Sequence, residues 1–141
     1  MSDYHFYHPI EVRYGDLDPQ GHVNNAKHLT YFEQARVAYM IELGLFTRDQ
    51  SFMKIGVIVA DIHLTYLDPI YFGQNIKVGV HAAKLGNKSM MWEQNIIDVD
   101  TGKELSKGEV IIVTYDYQDG KTISIPQEWR ETIVQFEGSK V

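Results

Sequence analysis

Two aspartates, a histidine and two asparagines crowd into one short run, Asp16-Leu17-Asp18-Pro19-Gln20-Gly21-His22-Val23-Asn24-Asn25, directly ahead of a segment with helical periodicity. A carboxylate aimed at a helix start is chemically useful. The first N–H groups of a helix lack intrahelical partners and carry partial positive charge, so they can hold a substrate's carbonyl oxygen while the acid group acts on its carbon. Aspartates in such a turn also bond to nearby backbone and shape the loop, and residue type alone does not separate the two roles. Asn24 and Asn25 suit an N-cap.

Other chemistries fit less well. Asp16, Asp18 and His22 are oxygen and nitrogen ligands, and His5 and His8 lie upstream. His5 and His8 fall on opposite faces of a strand, however, and no second histidine-rich element completes a site, so no metal is expected. His28, His63 and His81 read as packed or surface imidazoles. There is no Gly-x-Ser-x-Gly elbow for a serine nucleophile, and with zero cysteines there is no thiolate chemistry.

The elements that must position this loop follow from periodicity. Residues 4–14 read as a strand ending at Gly15. From 24 to 43, Leu29, Phe32, Ala35, Arg36, Tyr39, Met40 and Leu43 recur at helical spacing, and Gly44 supplies the stop. Such a helix is about 30 Å long at ~1.5 Å per residue. Residues 57–68 are apolar on both faces, which predicts a strand covered on both sides. Ile76, Val78, Val80 and Ala82 alternate, 85–88 form a hairpin turn into 90–99, and a turn at 100–103 leads to 109–117. Residues 126–136 predict a short helix with Pro126 near its first turn. One strand, one long helix and four more strands make an α+β layout, a single five-stranded sheet turning its apolar face to one helix.

Composition sets the frame. At 141 residues and 44% hydrophobic content, residues 1–141 fit a single domain, and a domain of this size buries about 68–70% of its unfolded surface without disulfide or metal support. The net charge of −6 argues against nucleic acid or an anionic membrane as partner. The absence of cysteine suits a reducing compartment, and the first residues lack the basic and apolar regions of a leader. A soluble, unprocessed, cytoplasmic protein is expected.

The run from Val12 to Asn25, followed by Tyr31-Phe32-Glu33-Gln34-Ala35-Arg36, resembles the hot-dog-fold acyl-CoA thioesterases of the 4-hydroxybenzoyl-CoA thioesterase type and the related acyl-carrier-protein thioesterases. The likeness is specific over the first third of the chain and extends more weakly through Tyr66-Leu67-Asp68-Pro69, Gly73 and Lys88-Ser89 to Tyr115. It implies the hot-dog fold, one antiparallel five-stranded sheet wrapped around a long central helix. It also places the catalytic carboxylate on Asp18 and the oxyanion donor on the main-chain N–H of Asn25. His22, Asn24 and Asn25 stand where the 4-hydroxybenzoyl-CoA enzyme carries bulky aromatic and proline residues, and the roles of His22 and Asn24 are either to orient Asp18 or a water or to shape the loop and cap the helix.

The same resemblance implies acyl-CoA or an acyl-carrier-protein thioester as substrate and no cofactor. Nucleotide contacts are expected on Asn87, Lys88 and Ser89, and acyl contacts on Tyr31 and around Val59. A single wrapped sheet has open edges, which hot-dog proteins pair across a two-fold axis; a homodimer or homotetramer with its sites at the interface is expected. Two rivals stand beside hydrolysis. A hot-dog hydratase or dehydratase carries an Asp-x-Asn-Pro-x-His-like loop, which this chain matches only with an extra residue before the histidine; a non-catalytic acyl-thioester-binding domain needs no Asp18.

Overall fold

The computed structural model of the protein describes residues 4–46 and 55–138. The chain runs β1 (Phe6–Glu11), a 3-10 turn (Tyr14–Asp16), α1 (Asn25–Glu42), β2 (Ile55–Tyr66), β3 (Asn75–Leu85), β4 (Ser89–Asp98), β5 (Glu104–Asp116), β6 (Lys121–Thr122) and α2 (Gln127–Glu137). The strands form one antiparallel sheet in the order β1-β3-β4-β5-β2, with β6 added to the end of β5. The expected α+β class holds, but the sheet has a sixth strand. After Asp116 the chain turns back because that carboxylate accepts the N–H groups of Gln118 and Asp119, at 2.9 and 3.0 Å. The resulting pairing is two residues long, too short for an alternation to reveal.

Helix α1 begins where its cap dictates. Asn24 Oδ1 accepts the Ala26 N–H at 2.9 Å, and Gly44, at φ 77°, takes the left-handed conformation that ends the helix. The buried stripe His28, Tyr31, Phe32, Ala35, Arg36, Tyr39 and Met40 keeps the expected spacing. It packs on the inward side chains Ile76, Val78, Val80 and Ala82 of β3, Met90, Trp92 and Ile96 of β4, and Val110 and Ile112 of β5, with Tyr39 edge-on to Trp92 at 4.9 Å. Gly108 makes this contact possible: a Cβ there would lie 2.6 Å from the His63 carbonyl and 3.1 Å from Phe32. The sequence pattern starts this strand at Glu109, whereas β5 begins at Glu104 and runs through Gly108. The glycine is a point of close approach within the strand.

β2 departs most from expectation. It is an edge strand, paired only to β5, and Val57, Ile62 and Leu64 are the apolar side chains it packs against the core. Ile55, Ile58, Val59, Tyr66 and Leu67 are therefore exposed, Ile58 at 43%. A strand predicted to be covered on both sides is open along one edge and over part of each face. Between α1 and β2 this leaves a seam.

α2 closes the opposite end. Its Arg130 donates to the Gly86 carbonyl at 2.6 Å, and its Glu137 carboxylate accepts from Tyr39 Oη at 2.5 Å, His81 Nδ1 at 2.8 Å and the Ala82 N–H at 3.0 Å. Among the described residues no helix is long and apolar enough to cross a membrane.

Candidate active site

The acidic loop folds as a miniature hairpin. Leu17 and Val23 form an isolated antiparallel bridge. The Asp18 N–H donates to the His22 carbonyl at 2.9 Å, and the Gly21 N–H returns to the Asp18 carbonyl at 3.0 Å. Gly21 stands at φ 88°, a conformation that favours glycine at the tip of this tight turn. Asp18 and His22 are thereby set side by side at the base of the hairpin, with Nδ1 of His22 3.9 Å from Oδ2 of Asp18. The hairpin is anchored at the helix by the Asn24 N–H on the Asp16 carbonyl and to the β2–β3 connection by the Val23 N–H on the Ile70 carbonyl.

The two aspartates have different environments. Asp16 is 1% exposed. Its carboxylate accepts from the Arg13 N–H at 3.1 Å, the Arg13 guanidinium at 3.2 Å and the Tyr31 hydroxyl at 2.7 Å, with Lys27 Nζ 3.9 Å away. Burial works to raise its pKa, but the bonds from Tyr31 and Arg13 outweigh it and hold the carboxyl below its ordinary value. Both carboxylate oxygens are engaged, so Asp16 ties the loop to α1. Among the described residues the Asp18 side chain has one hydrogen bond, Oδ1 accepting the Gln20 N–H at 2.9 Å, and it lines the cleft.

That cleft has a volume of about 390 Å³ and is lined by Asp18, Gln20, His22, Val23, Asn25 and His28 on one side and by residues 66–69 on the other. Asn25 is the first residue of α1, and its N–H has no acceptor among the described residues. The Tyr66 hydroxyl donates to the Asn25 carbonyl at 2.7 Å and so fixes that first turn against the end of β2. Asn24 is occupied as the N-cap. His22 Nδ1 lies 3.4 Å from the Val23 carbonyl and its ring stands edge-on to Tyr71. A larger depression of about 730 Å³ lies between β1 and the far flank of α1, but only the smaller cleft sets a carboxylate beside a helix start.

Two residues that line this cleft, His28 and Tyr66, and one bonded to His28, Ser106, are not among the site candidates read from the sequence. His28 is 3% exposed, its Nδ1 is 3.0 Å from Ser106 Oγ on β5, and its ring meets Tyr66 edge-on at 4.8 Å. Burial, aided by His22 nearby, pushes its pKa down to about 4. One signal for it exists in the sequence: His28 follows Asn25 by three positions and so shares its side of the helix. Tyr66 is marked only as part of the weaker family likeness in Tyr66-Leu67-Asp68-Pro69, and Ser106 carries no signal, since only the strand order brings it here.

The remaining candidates lie elsewhere. Tyr31 is 4% exposed and its hydroxyl is spent on Asp16; burial and then Asp16 push that phenol's pKa up. Val59 lines a second, mostly apolar groove of about 590 Å³ with Arg36, Met40, Phe46, Val57, Ile58 and Tyr117, further along the α1–β2 seam. Asn87, Lys88 and Ser89 sit at the other end of the sheet, under α2. Their main chain is committed there: the Ile125 N–H reaches the Asn87 carbonyl, the Thr114 N–H the Lys88 carbonyl, and the Gly86 N–H the Ser89 carbonyl. The 11 residues of β3 separate them from the acidic loop, about 36 Å at strand rise. A single chain does not bring this turn to Asp18. Among the described residues no three His, Cys, Asp or Glu side chains cluster as metal ligands.

Comparison with known proteins bears on what such a cleft does. The profile of the thioesterase-like superfamily matches residues 12–133. The long-chain acyl-CoA thioesterase FadM of Escherichia coli K12 is 26% identical over 127 residues, covering 90% of this chain and 96% of that protein. The acyl-CoA thioesterase YbgC of Haemophilus influenzae is 25% identical, covering 91% and 93%. Among solved structures, a Thermus thermophilus thioesterase complexed with coenzyme A and zinc superposes at a TM-score of 0.82 with 32% identity, covering 98% of each chain. The acidic loop, α1 and nearly all of the sheet fall within the matched span, and the chain belongs to the thioesterase-like superfamily, in the class of thioester hydrolases.

Proposed function

We propose that the protein hydrolyses acyl-CoA thioesters to a free carboxylic acid and coenzyme A, with Asp18 as the acting carboxylate and the start of α1 as the oxyanion site. One observation carries this reading: Asp18 and the acceptor-free N–H of Asn25 line the same cleft. The thioester carbon is attacked by water, with Asp18 taking the proton, or by Asp18 itself, giving a mixed anhydride that water then opens. In both routes the carbonyl electron pair moves onto oxygen, where the Asn25 N–H holds it. The pair then returns as the C–S bond breaks, and the thiolate leaves to be protonated. Asn24 fixes the helix start, and His22 orients the carboxylate or the water.

The relatives' activities and the coenzyme A bound to the Thermus protein support the choice of thioester. The seam between α1 and β2 accommodates the acyl group, from the Asp18 cleft toward Val59. We read the fold as the hot-dog arrangement with α1 as its central helix, completed by a second copy along β2. That strand is a 12-residue open edge with exposed Ile55, Ile58 and Val59, the kind of edge that soluble proteins cover. Asn87, Lys88 and Ser89 serve a bound nucleotide only from a neighbouring chain of that oligomer.

The test is release of free thiol from short, medium, long and aromatic acyl-CoAs and from an acyl-carrier-protein thioester. Turnover on at least one is expected. Loss of crotonyl-CoA enoyl absorbance without thiol release would instead identify a hydratase, and tight binding without any turnover would identify a binding domain.

A further inference from the structure

The cleft contains a second proton donor, and its orientation follows from a buried pair outside the loop. Among the described residues Ser106 Oγ has one partner, Nδ1 of His28 at 3.0 Å, and both side chains are buried. A buried hydroxyl whose proton finds no acceptor is penalised. One arrangement satisfies the pair fully: the serine O–H donates to a bare Nδ1, which puts the imidazole proton on Nε2. In the opposite tautomer the serine proton is stranded between strand and helix. Nε2 then carries an N–H with no acceptor among the described residues, on a side chain that lines the cleft beside Asp18 and Asn25. Tyr66, edge-on to the ring and bonded to the Asn25 carbonyl, holds the imidazole and the first turn of α1 in one register.

We propose that the Nε2–H of His28 is the second donor of the oxyanion site, joining the Asn25 main-chain N–H on the thioester oxygen, and that Ser106 is the positioning residue that fixes its tautomer. The inference rests on the reading of the cleft as a thioester-hydrolysing site. His28 neither gains nor loses a proton in the reaction: it donates a hydrogen bond to the oxygen as charge develops there, and the bond weakens when the C–S bond breaks and the carbonyl re-forms. An imidazole kept neutral by burial suits this role, because it offers a donor without bringing a second full charge beside Asp18. A backbone donor cannot be removed by substitution, whereas this one can.

The experiment uses the full chain and the acyl-CoA that it turns over fastest. His28→Leu, which has the bulk without the donor, is expected to lower kcat by about 10²–10³ with KM within about threefold. His28→Gln, which restores an N–H donor, is expected to recover about tenfold or more of that loss. Ser106→Ala, which frees the tautomer, is expected to lower kcat by about five- to tenfold. Thermal midpoints of the folded variants are measured alongside. Retention of kcat in His28→Leu to within about threefold while Asp18→Asn is inactive would overturn the second donor and leave the proposed hydrolysis standing. Equal losses in His28→Leu and His28→Gln that track equal falls in thermal midpoint would reduce His28 to packing. Absence of thiol release from every substrate by the unmodified chain would remove both readings.

Discussion

The Tyr31 hydroxyl donates to Oδ2 of Asp16 at 2.7 Å, across fifteen residues of sequence, and so ties the acidic loop to the body of α1. This bond assigns the two aspartates different work. Replacing Asp16 with alanine strands a buried phenol and the Arg13 N–H and removes the cross-link. The expected cost is about 2–4 kcal/mol of unfolding free energy, read from urea denaturation. Any loss of activity should follow the folded fraction.

The buried imidazole gives stability a pH dependence with a definite sign. The His28 pKa in the folded chain, about 4, lies below the ordinary 6.5. The unfolded chain therefore takes up a proton that the folded chain refuses, and stability falls as pH drops through 6.5 toward 4, by up to about 3 kcal/mol. Below that window the His28 contribution levels off. Asp16, whose pKa is depressed, acts in the same direction at lower pH, losing its contribution as the carboxyl protonates. Urea midpoints measured between pH 7.5 and 4 should fall more steeply for the wild-type chain than for His28→Phe. Parallel curves would show that the imidazole is not shielded as described.

A lysine on the open edge tests assembly. Ile58→Lys places a charge in the exposed apolar stretch of β2, at a position 43% exposed in the single chain. Sedimentation at micromolar concentration should show the wild-type chain as a dimer or larger and the variant shifted toward 16.3 kDa. A wild-type chain that sediments only at the monomer mass would contradict the proposed interface.

Glu137 offers a control at the far end of the sheet. Its carboxylate accepts from Tyr39, His81 and the Ala82 N–H, and holds the end of α2 in place. Glu137→Ala should cost about 2–4 kcal/mol in stability, with kcat/KM of the folded enzyme unchanged to within about twofold. A large loss of kcat/KM would mean that the two ends of the sheet are coupled.

Much of this architecture was legible in the residues because it depends on local periodicity and caps. The Asn24 cap, the Gly44 stop and the α1 stripe Phe32, Ala35, Arg36, Tyr39 and Met40 are read from spacing alone, although Leu29, expected in that stripe, is 38% exposed, and the strand alternation Ile76-Val78-Val80-Ala82 survives intact in β3. What failed depends on tertiary neighbours. The strand that the pattern starts at Glu109 begins at Glu104, and its Gly108 is the bare patch on which Phe32 sits. Residues 57–68 read as doubly covered because apolar side chains on both faces look the same whether they meet their own chain or an unfilled edge. In the site, the loop motif drew attention to Asp18 and Asn25, which do share a cleft, whereas Asn87, Lys88 and Ser89 lie a whole strand away. His28 was passed over because its partner Ser106 is 78 residues distant, a separation only the fold can close.

The proposed hydrolysis rests on Asp18, whose side chain makes one hydrogen bond among the described residues, to an exposed turn. Asp18→Asn should therefore leave the urea midpoint nearly unchanged while removing the group proposed to attack or deprotonate. The most direct measurement is thiol release from the preferred acyl-CoA by the wild-type chain and by Asp18→Asn, both shown to be folded and, for the variant, free of deamidation. The expected result is a fall in kcat of about 10²–10⁴. Equal rates from the two proteins would contradict the assignment of Asp18 as the acting carboxylate.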